Sequence, residues 1–406
     1  MTKKIARNTY WLIPLLAAVI LLAFRLVTFG EVWNGLTSSS SINPIKILVL
    51  FLSMTVLSIF LDETGFFKWL ANMVTKKAGT SQLKLFTALF ITISVVTIFT
   101  SNDIVILTFT PFVCYFAKNA NINPIPYLVS QFVAANTASM LFIIGNPTNI
   151  YIATSSGITF TEYLAVMALP TLFATVTAYV VMLLLFYKQL KKPITGQGEQ
   201  VIIKQKPLLV IGITLLSATT VLLVVSSYIN TAMWLIAAVA AATLTATVLL
   251  YSLIKKKAPK ELGTTLKRTP WALIPFIISM FIMVIALEKF GVTAHLASFM
   301  GDKNPILTYG IMSTLFSNLI NNIPTSVLFS SILQNSAAGL PGTYATIIGS
   351  NIGAFLTPLG ALAGIMWLAI LKRNGIKFRF WDFLKYGTVI AVPVLFAALL
   401  GLWIVI

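Results

Sequence analysis

The chain has almost none of the residues from which most enzymes build a site. Cys114 is its one cysteine and His295 its one histidine. A single cysteine excludes an internal disulfide and a cysteine-built metal centre. A single histidine excludes a multi-histidine metal site, and the chain offers no His-Asp-Ser triad. Charge is scarce as well: 9% of the 406 residues are charged and 58% are hydrophobic, too little charge to cover a soluble domain of this length. The longest polar gap, roughly 188–207, has no room for a soluble domain. No G-x-x-x-x-G-K-[ST] motif occurs, so direct ATP use is not expected.

What is present is apolar sequence in stretches of about 18 residues or more, the length of a membrane-crossing helix. The chain reads as one transmembrane domain over 1–406, all-α and polytopic. Segment 10–29 is too long and lacks the small-residue cleavage pattern of a removed signal peptide; it reads as a first crossing. The net charge of +18 could suggest nucleic acid, but the cations sit in short loops without interleaved aromatics. Lys3, Lys4 and Arg7, the loop 188–206, the run Lys255 to Arg268 and the loop Lys372 to Arg379 fall on one side. Only Arg25, Lys46, Lys289 and Lys303 fall elsewhere. That asymmetry predicts a plasma-membrane protein with a cytoplasmic N-terminus and an external C-terminus.

Two polar islands interrupt the apolar sequence, and they echo each other. The first is SNDIVILTFTP at 101–111 with AANTASMLFIIGNPTNIYIA at 134–153. The second is SNLINNIPTSVLF at 317–329 with GSNIGAFLTPLGALAG at 349–364. Each supplies a Ser-Asn start, further amides, and a Gly/Pro break. The stretches LDETGFFKWLA at 61–71 and LEKFGVTAHLA at 287–297 also correspond, one inside and the other outside. Two inverted-topology repeats are expected, with cores at 44–187 and 270–406. The two-armed segments 82–117 and 305–335 read either as re-entrant hairpins or as pairs of full crossings.

Polar groups and helix breakers at membrane depth are costly unless they line a site. The candidates are Ser101, Asn102 and Asp103, then Asn136, Thr137, Gly145, Asn146, Pro147, Thr148 and Asn149. The second island offers Ser317, Asn318, Asn321, Asn322 and Thr325 around Pro324, then Asn351, Gly353, Thr357 and Pro358. Asp103 is the telling residue: a carboxylate at membrane depth either pairs with a cation or takes a proton. It is assigned ion or proton coupling. Broken helices free carbonyls, and with amide oxygens these are hard ligands suited to Na⁺; helix N-termini at the breaks suit an anion. No resident metal or cofactor is expected beyond Na⁺ or H⁺ as coupling ion. His295 reads as a surface residue, Cys114 as packing, and Arg25 as a snorkelling anchor.

At these islands the chain resembles the ion transporter superfamily that holds arsenite permeases of the ArsB type, NhaD-type sodium/proton antiporters, and citrate and dicarboxylate carriers. SNDIVILTFTP looks like the first hairpin of the arsenite-permease branch and AANTAS at 134–139 like the segment after it. NNIPTSVL at 321–328 and N-I-G-x-x-x-T-P-L-G-A-L-A at 351–363 look like its second-half signatures. GNPTN at 145–149 departs from that branch and is closer to the Gly-x-Pro-x-Asn element of sodium-coupled anion carriers. The resemblance implies two re-entrant hairpins, a site at mid-membrane and elevator-like movement of the hairpin domains against a scaffold. It also implies a homodimer in many members. A separate ATPase subunit stays open.

The reading is therefore a secondary transporter driven by an ion gradient, an efflux permease for arsenite, antimonite or a related anion. The alternatives are a sodium/proton antiporter and a Na⁺-coupled carrier of a carboxylate or inorganic anion. An intramembrane enzyme would need clustered His, Asp or Glu at membrane depth, which this chain does not supply.

Overall fold

The computed structural model describes residues 11–37, 43–194 and 205–406. Lys3, Lys4, Arg7 and residues 195–204 of the basic loop lie outside the described residues. Those described form helices joined by short turns, with seven helical stretches long and apolar enough to cross a membrane. Their outer faces are apolar and exposed, as at Leu184, Val221 and Leu253: these side chains meet lipid, and the polar residues turn inward.

Helix starts follow from local chemistry. Asn43 accepts hydrogen bonds from the N–H groups of Ile45 and Lys46, ahead of Pro44 at the first helical position. Asn146 does the same for Thr148 ahead of Pro147. An Asx cap takes an N–H left without an intrahelical partner, and proline there has none to waste. Pro147 therefore opens a helix rather than interrupting one.

The expected crossing 10–29 is only partly helical. Helix Leu12–Ala23 has 12 residues and ends in a turn where Arg25 takes φ 55°. At 1.5 Å per residue it spans about 18 Å, short of the hydrocarbon core. A second helix, Phe29–Thr37, follows.

Three observations fix the inverted repeat. Helix Pro44–Glu63 ends where Arg268, at the entry to helix Leu273–Lys289, pairs with Asp62 at 2.6 Å and with Glu63. Lys289, at the far end of the latter helix, pairs with Glu31 at 2.9 Å. The two helices are thus antiparallel, and the two ion pairs mark opposite faces.

The third observation concerns the two-armed segments. The first has arms Gln82–Phe99 and Asn102–Asn119. Its start lies beside the end of helix Phe160–Leu190, through Ile194 N–H to Thr80 O at 2.8 Å. Just past its end, Asn123 Nδ2 donates to Gln189 Oε1 at 2.9 Å. Both ends share one face, so this is a re-entrant hairpin. The second has arms Pro305–Ile320 and Asn322–Gln334. The Ser331 hydroxyl donates to Glu288, which places this hairpin's ends on the Lys289 face. One hairpin enters from each side.

Each hairpin packs on a broken helix of its own repeat. The first break, residues 139–146, separates Ile125–Ala138 from Pro147–Ser155; the second, 354–361, separates Gly339–Gly353 from Leu362–Arg373. The tightest seam joins Pro305–Ile320 to Gly339–Gly353. There a Cβ on Gly349 would stand 2.0 Å from Ser313 Oγ and 2.2 Å from Gly310 O. Small residues let these backbones touch, the usual basis of helix association in lipid. The second arm of each hairpin crosses to the other repeat: Asn102–Asn119 packs on Leu362–Arg373, and Asn322–Gln334 on Pro147–Ser155. Helices Phe160–Leu190 and Phe380–Val405 pair antiparallel, with Gly401 against Pro170 at one end and Phe186 against Tyr386 at the other. The halves interlock, and the breaks meet between them.

Candidate functional site

The first tip is the turn Thr100–Ser101. Thr100, Ser101 and Asn102 are all buried, so the turn does not reach water. Asn102 Nδ2 donates to Asn136 Oδ1 at 3.0 Å. Asn136 O accepts from the Ser139 hydroxyl at 3.0 Å, and that hydroxyl also reaches Asn351 Oδ1 at 3.2 Å. Asn146 Nδ2 donates to the same Asn351 oxygen at 2.8 Å, and Asn351 Nδ2 donates to Asn149 Oδ1 at 2.6 Å. Asn149 Nδ2 in turn satisfies Ser139 O at 2.8 Å and Phe142 O at 3.2 Å. Asn136, Ser139, Asn149 and Asn351 have no exposed surface. The amides do the work that water would do for a broken helix, whose carbonyls must find donors.

The second tip is organised differently. Asn321 sits between the arms with φ 78°, a strained setting for a residue with a side chain. Its amide donates to Leu359 O at 3.1 Å while its Oδ1 caps Ile323 N. Asn322 N–H donates to Gly360 O at 3.0 Å. Asn318 Nδ2 donates to Gly353 O at 3.1 Å, and its oxygen accepts from the Thr357 hydroxyl at 2.7 Å. The Thr325 hydroxyl returns to Asn321 O at 2.8 Å. Here the tip itself satisfies the carbonyls of the break.

Superposing the repeats by helix boundaries corrects the pairing suggested by the Ser-Asn echo. Ser317-Asn318 lies in the last turn of the first arm, not at a tip. Asn321-Asn322 occupies the place of Ser101-Asn102, since Asn102 and Asn322 both open second arms. Pro324 lies in the first turn of that arm and breaks nothing. Asn136 matches Asn351 and Gly145 matches Gly360. The residue after each glycine, Asn146 or Ala361, is extended at φ −149° and starts the next helix. Asp103 faces Ile323 across this correspondence. The site holds one carboxylate, and it stands at the first tip.

Asp103 lies in the first helical turn of its arm; its N–H donates to Asn102 Oδ1 at 2.9 Å. Its carboxylate has no hydrogen bond or ion pair among the described residues. Ser101 Oγ and Ser317 Oγ are buried without partners there. Thr137 bonds only back along its own helix and Thr148 points to Asn149; neither joins the repeats. Pro358 lies within the second break. Gly145 and Gly353 are places of close approach: a Cβ would stand 2.3 Å from Ser139 O and 2.8 Å from Thr314 O respectively. The sequence reading missed Ser139, which lies inside the quoted AANTAS motif, where its hydroxyl was the available signal. Among the described residues no cluster of His, Cys, Asp or Glu is suited to a metal. The hard ligands at hand are amide, hydroxyl and carbonyl oxygens.

A family model described as "Citrate transporter" (CitMHS) matches residues 1–346. The chain belongs to the citrate transporter family. It is 28% identical over 423 residues to the arsenical pump membrane protein of Escherichia coli, covering 95% of this chain and 91% of that one. The arsenical pump membrane protein of Yersinia enterocolitica is 28% identical over 403 residues, covering 93% and 87%. Among solved structures, the YdaH transporter of Alcanivorax borkumensis aligns with TM-score 0.60 at 13% identity over 98% of both chains. MtrF of Neisseria gonorrhoeae aligns with TM-score 0.51 at 13% identity over 98% and 94%. These two share its fold. This member of the citrate transporter family is a multi-pass membrane protein and a secondary transporter of the ArsB/CitMHS type, not an enzyme.

Proposed function

We propose that this transporter is an ion-coupled efflux permease for arsenite, antimonite or a related oxyanion. In this reading Asp103 carries the coupling proton or helps hold Na⁺, and the amides at the tips and breaks receive the substrate. The observation that carries the reading is the chemistry of the tips and breaks: amides, hydroxyls and glycines, one unpaired carboxylate, and no lysine or arginine within 100–103, 136–149, 317–326 or 349–361. A citrate trianion brought there would meet no cation and one like charge. Arsenite at neutral pH is the uncharged trihydroxide As(OH)₃, which exchanges hydrogen bonds with amides and hydroxyls. The single thiol, Cys114, lies three turns along its helix from Asp103. One thiol cannot form the tris-thiolate cage that traps arsenic(III), so the ligand stays exchangeable. The likeness to the arsenical pump membrane proteins over nearly the whole chain supports the same substrate.

A second reading, a Na⁺-coupled carboxylate carrier, is favoured by the family description and by the Gly-x-Pro-x-Asn element at 145–149. Proteoliposomes separate the two. Arsenite flux that responds to a pH or Na⁺ gradient, without citrate flux, supports the first; citrate flux that requires Na⁺ and ignores arsenite overturns it. The basic face, with Arg268 and the loop 372–379, is assigned to the cytoplasm by its charge. Cysteine-accessibility labelling on a Cys114→Ala background checks this.

A further inference from the structure

The long helices Phe160–Leu190 and Phe380–Val405 open on matching sequence, FTEYL at 160–164 and FWDFL at 380–384. In each, the acid three residues past the N-cap holds the N-cap N–H. Glu162 accepts from Thr159 at 2.9 Å and Asp382 from Arg379 at 2.8 Å. A capping contact of this kind fixes where a helix starts, so Tyr163 and Phe383 hold the same place in the two repeats. By the register of Asn136 and Asn351, Met140 and Phe355 do as well.

The matching places are filled differently. Tyr163 has no exposed surface, and its hydroxyl donates to Met140 O at 3.0 Å, inside the first break. Phe383 has no hydroxyl. Its ring packs on Phe132 and Trp367, and Phe355 O accepts no hydrogen bond among the described residues. One turn further on, Met167 in the first helix matches Gly387 in the second. A Cβ on Gly387 would stand 2.6 Å from Phe355 O and 2.4 Å from Leu356 O. The helix backbone therefore lies against the carbonyls of the second break and offers them the weak C–H donors of a glycine. A carbonyl freed by a broken helix at membrane depth ordinarily takes a full donor. The first break has one in Tyr163; the second has a backbone contact with no fixed direction.

We propose that Tyr163 is a positioning residue for transport. Met140 follows Ser139, whose hydroxyl reaches Asn351 and whose carbonyl is held by Asn149. The tyrosine hydroxyl pins this turn, and with it the amides of Asn146 and Asn149. The second break has no such pin and shifts along Gly387 during the transport cycle, so one break is fixed and the other yields.

The test is hydrogen–deuterium exchange of the purified protein, read over residues 139–146 and 354–361. Tyr163→Phe keeps the ring; exchange over 139–146 should rise about fivefold, the scale of one lost hydrogen bond, with 354–361 unchanged. Phe383→Tyr supplies the missing hydroxyl, for which the small cavity lined by Phe355, Phe383 and Gly387 has room. Exchange over 354–361 should then fall about threefold. A flux measurement with arsenite as the probe rests on the function proposed above. There Tyr163→Phe should raise the half-saturating concentration about fivefold at an unchanged maximal rate, and Phe383→Tyr should lower the maximal rate about threefold at unchanged half-saturation. Unchanged exchange over 139–146 in Tyr163→Phe overturns the pin, and so does equal loosening of both segments, which marks a general packing role. Unchanged exchange over 354–361 in Phe383→Tyr overturns the yielding second break. A wild type that carries no arsenite counts against the substrate, and the exchange rates still decide the role of Tyr163.

Discussion

Asn136 and Asn351 hold the same place in the two repeats. Each lies two residues before the end of the helix entering a break, and each donates Nδ2 to the carbonyl four residues back at 2.8 Å, Phe132 O or Ile347 O. Their oxygens diverge. Asn136 Oδ1 holds the first tip through Asn102, whereas Asn351 Oδ1 collects Ser139 and Asn146 from the other repeat. An old symmetry has been put to two uses: one asparagine ties a hairpin to its own break, and the other ties the breaks together.

Asn351→Ala should therefore be the costlier of the two substitutions. It leaves the Asn146 amide without its acceptor and takes from Asn149 Oδ1 its donor at 2.6 Å, while Ser139 keeps Asn136 O; each buried polar group left without a partner costs about 1–3 kcal/mol. Asn136→Ala orphans only the Asn102 amide. Thermal unfolding in detergent should rank wild type, Asn136→Ala and Asn351→Ala in falling order. Equal melting temperatures for the two variants would contradict the shared-hub role of Asn351.

Asp103→Asn should leave folding intact and uncouple transport. Asparagine is close to isosteric, and no hydrogen bond to the carboxylate is lost. Gradient-driven flux in proteoliposomes should fall about tenfold or more, the scale of a typical coupling free energy, while substrate exchange at equilibrium persists. Asp103→Glu should recover part of the gradient response. Unchanged flux in the asparagine variant would remove Asp103 from coupling.

The sequence made the architecture readable because membrane depth penalises exactly the residues that mark it. Amides and Gly/Pro pairs in apolar runs located both breaks, and loop cations gave opposite senses to the two halves. Register was less legible. Ser101-Asn102 and Ser317-Asn318 match as letters, but the first arms differ in length, 18 residues against 16, and the structure pairs positions by helix boundaries. Asn321 at φ 78° is a tip that no propensity announces. The indole of Trp367 was invisible for another reason: only the fold shows that its N–H is buried without an acceptor among the described residues.

Gly145→Ala should disable the first break. A methyl there would stand 2.3 Å from Ser139 O, and the turn that positions Asn146 and Asn149 would shift, at about 1–3 kcal/mol for the overlap. Gly360→Ala, with 2.2 Å to Gly353 O, should do the same to the second break. Gly263→Ala is the control: its Cβ meets nothing within 4 Å, and in helix Lys260–Arg268 the change should stabilise by about 0.5–1 kcal/mol. Flux lost in the first two and kept in the third supports glycine as a spacing requirement. Full flux in Gly145→Ala would show that the break tolerates the methyl.

The two ion pairs at opposite faces should respond unequally to neutralisation. Arg268 meets Asp62, whose side chain is 6% exposed, and also Glu63. Arg268→Gln leaves two adjacent carboxylates without a counter-charge, one of them nearly buried. A loss of about 1–3 kcal/mol is expected, reduced from the fully buried case because the guanidinium side is partly solvated. Adding Asp62→Asn should recover part of it. Lys289 and Glu31 are both well exposed. The Thr28 N–H, with Lys289 beside it, holds the Glu31 carboxyl at about 2, below its ordinary 4.5. That contribution is complete above 4.5 and disappears as pH falls toward 2, so it is constant across the neutral range. Lys289→Gln should leave the melting temperature at pH 7 unchanged. If Arg268→Gln were equally silent, the Asp62 pair would be a surface contact and not the clamp that joins helix Pro44–Glu63 to the second repeat.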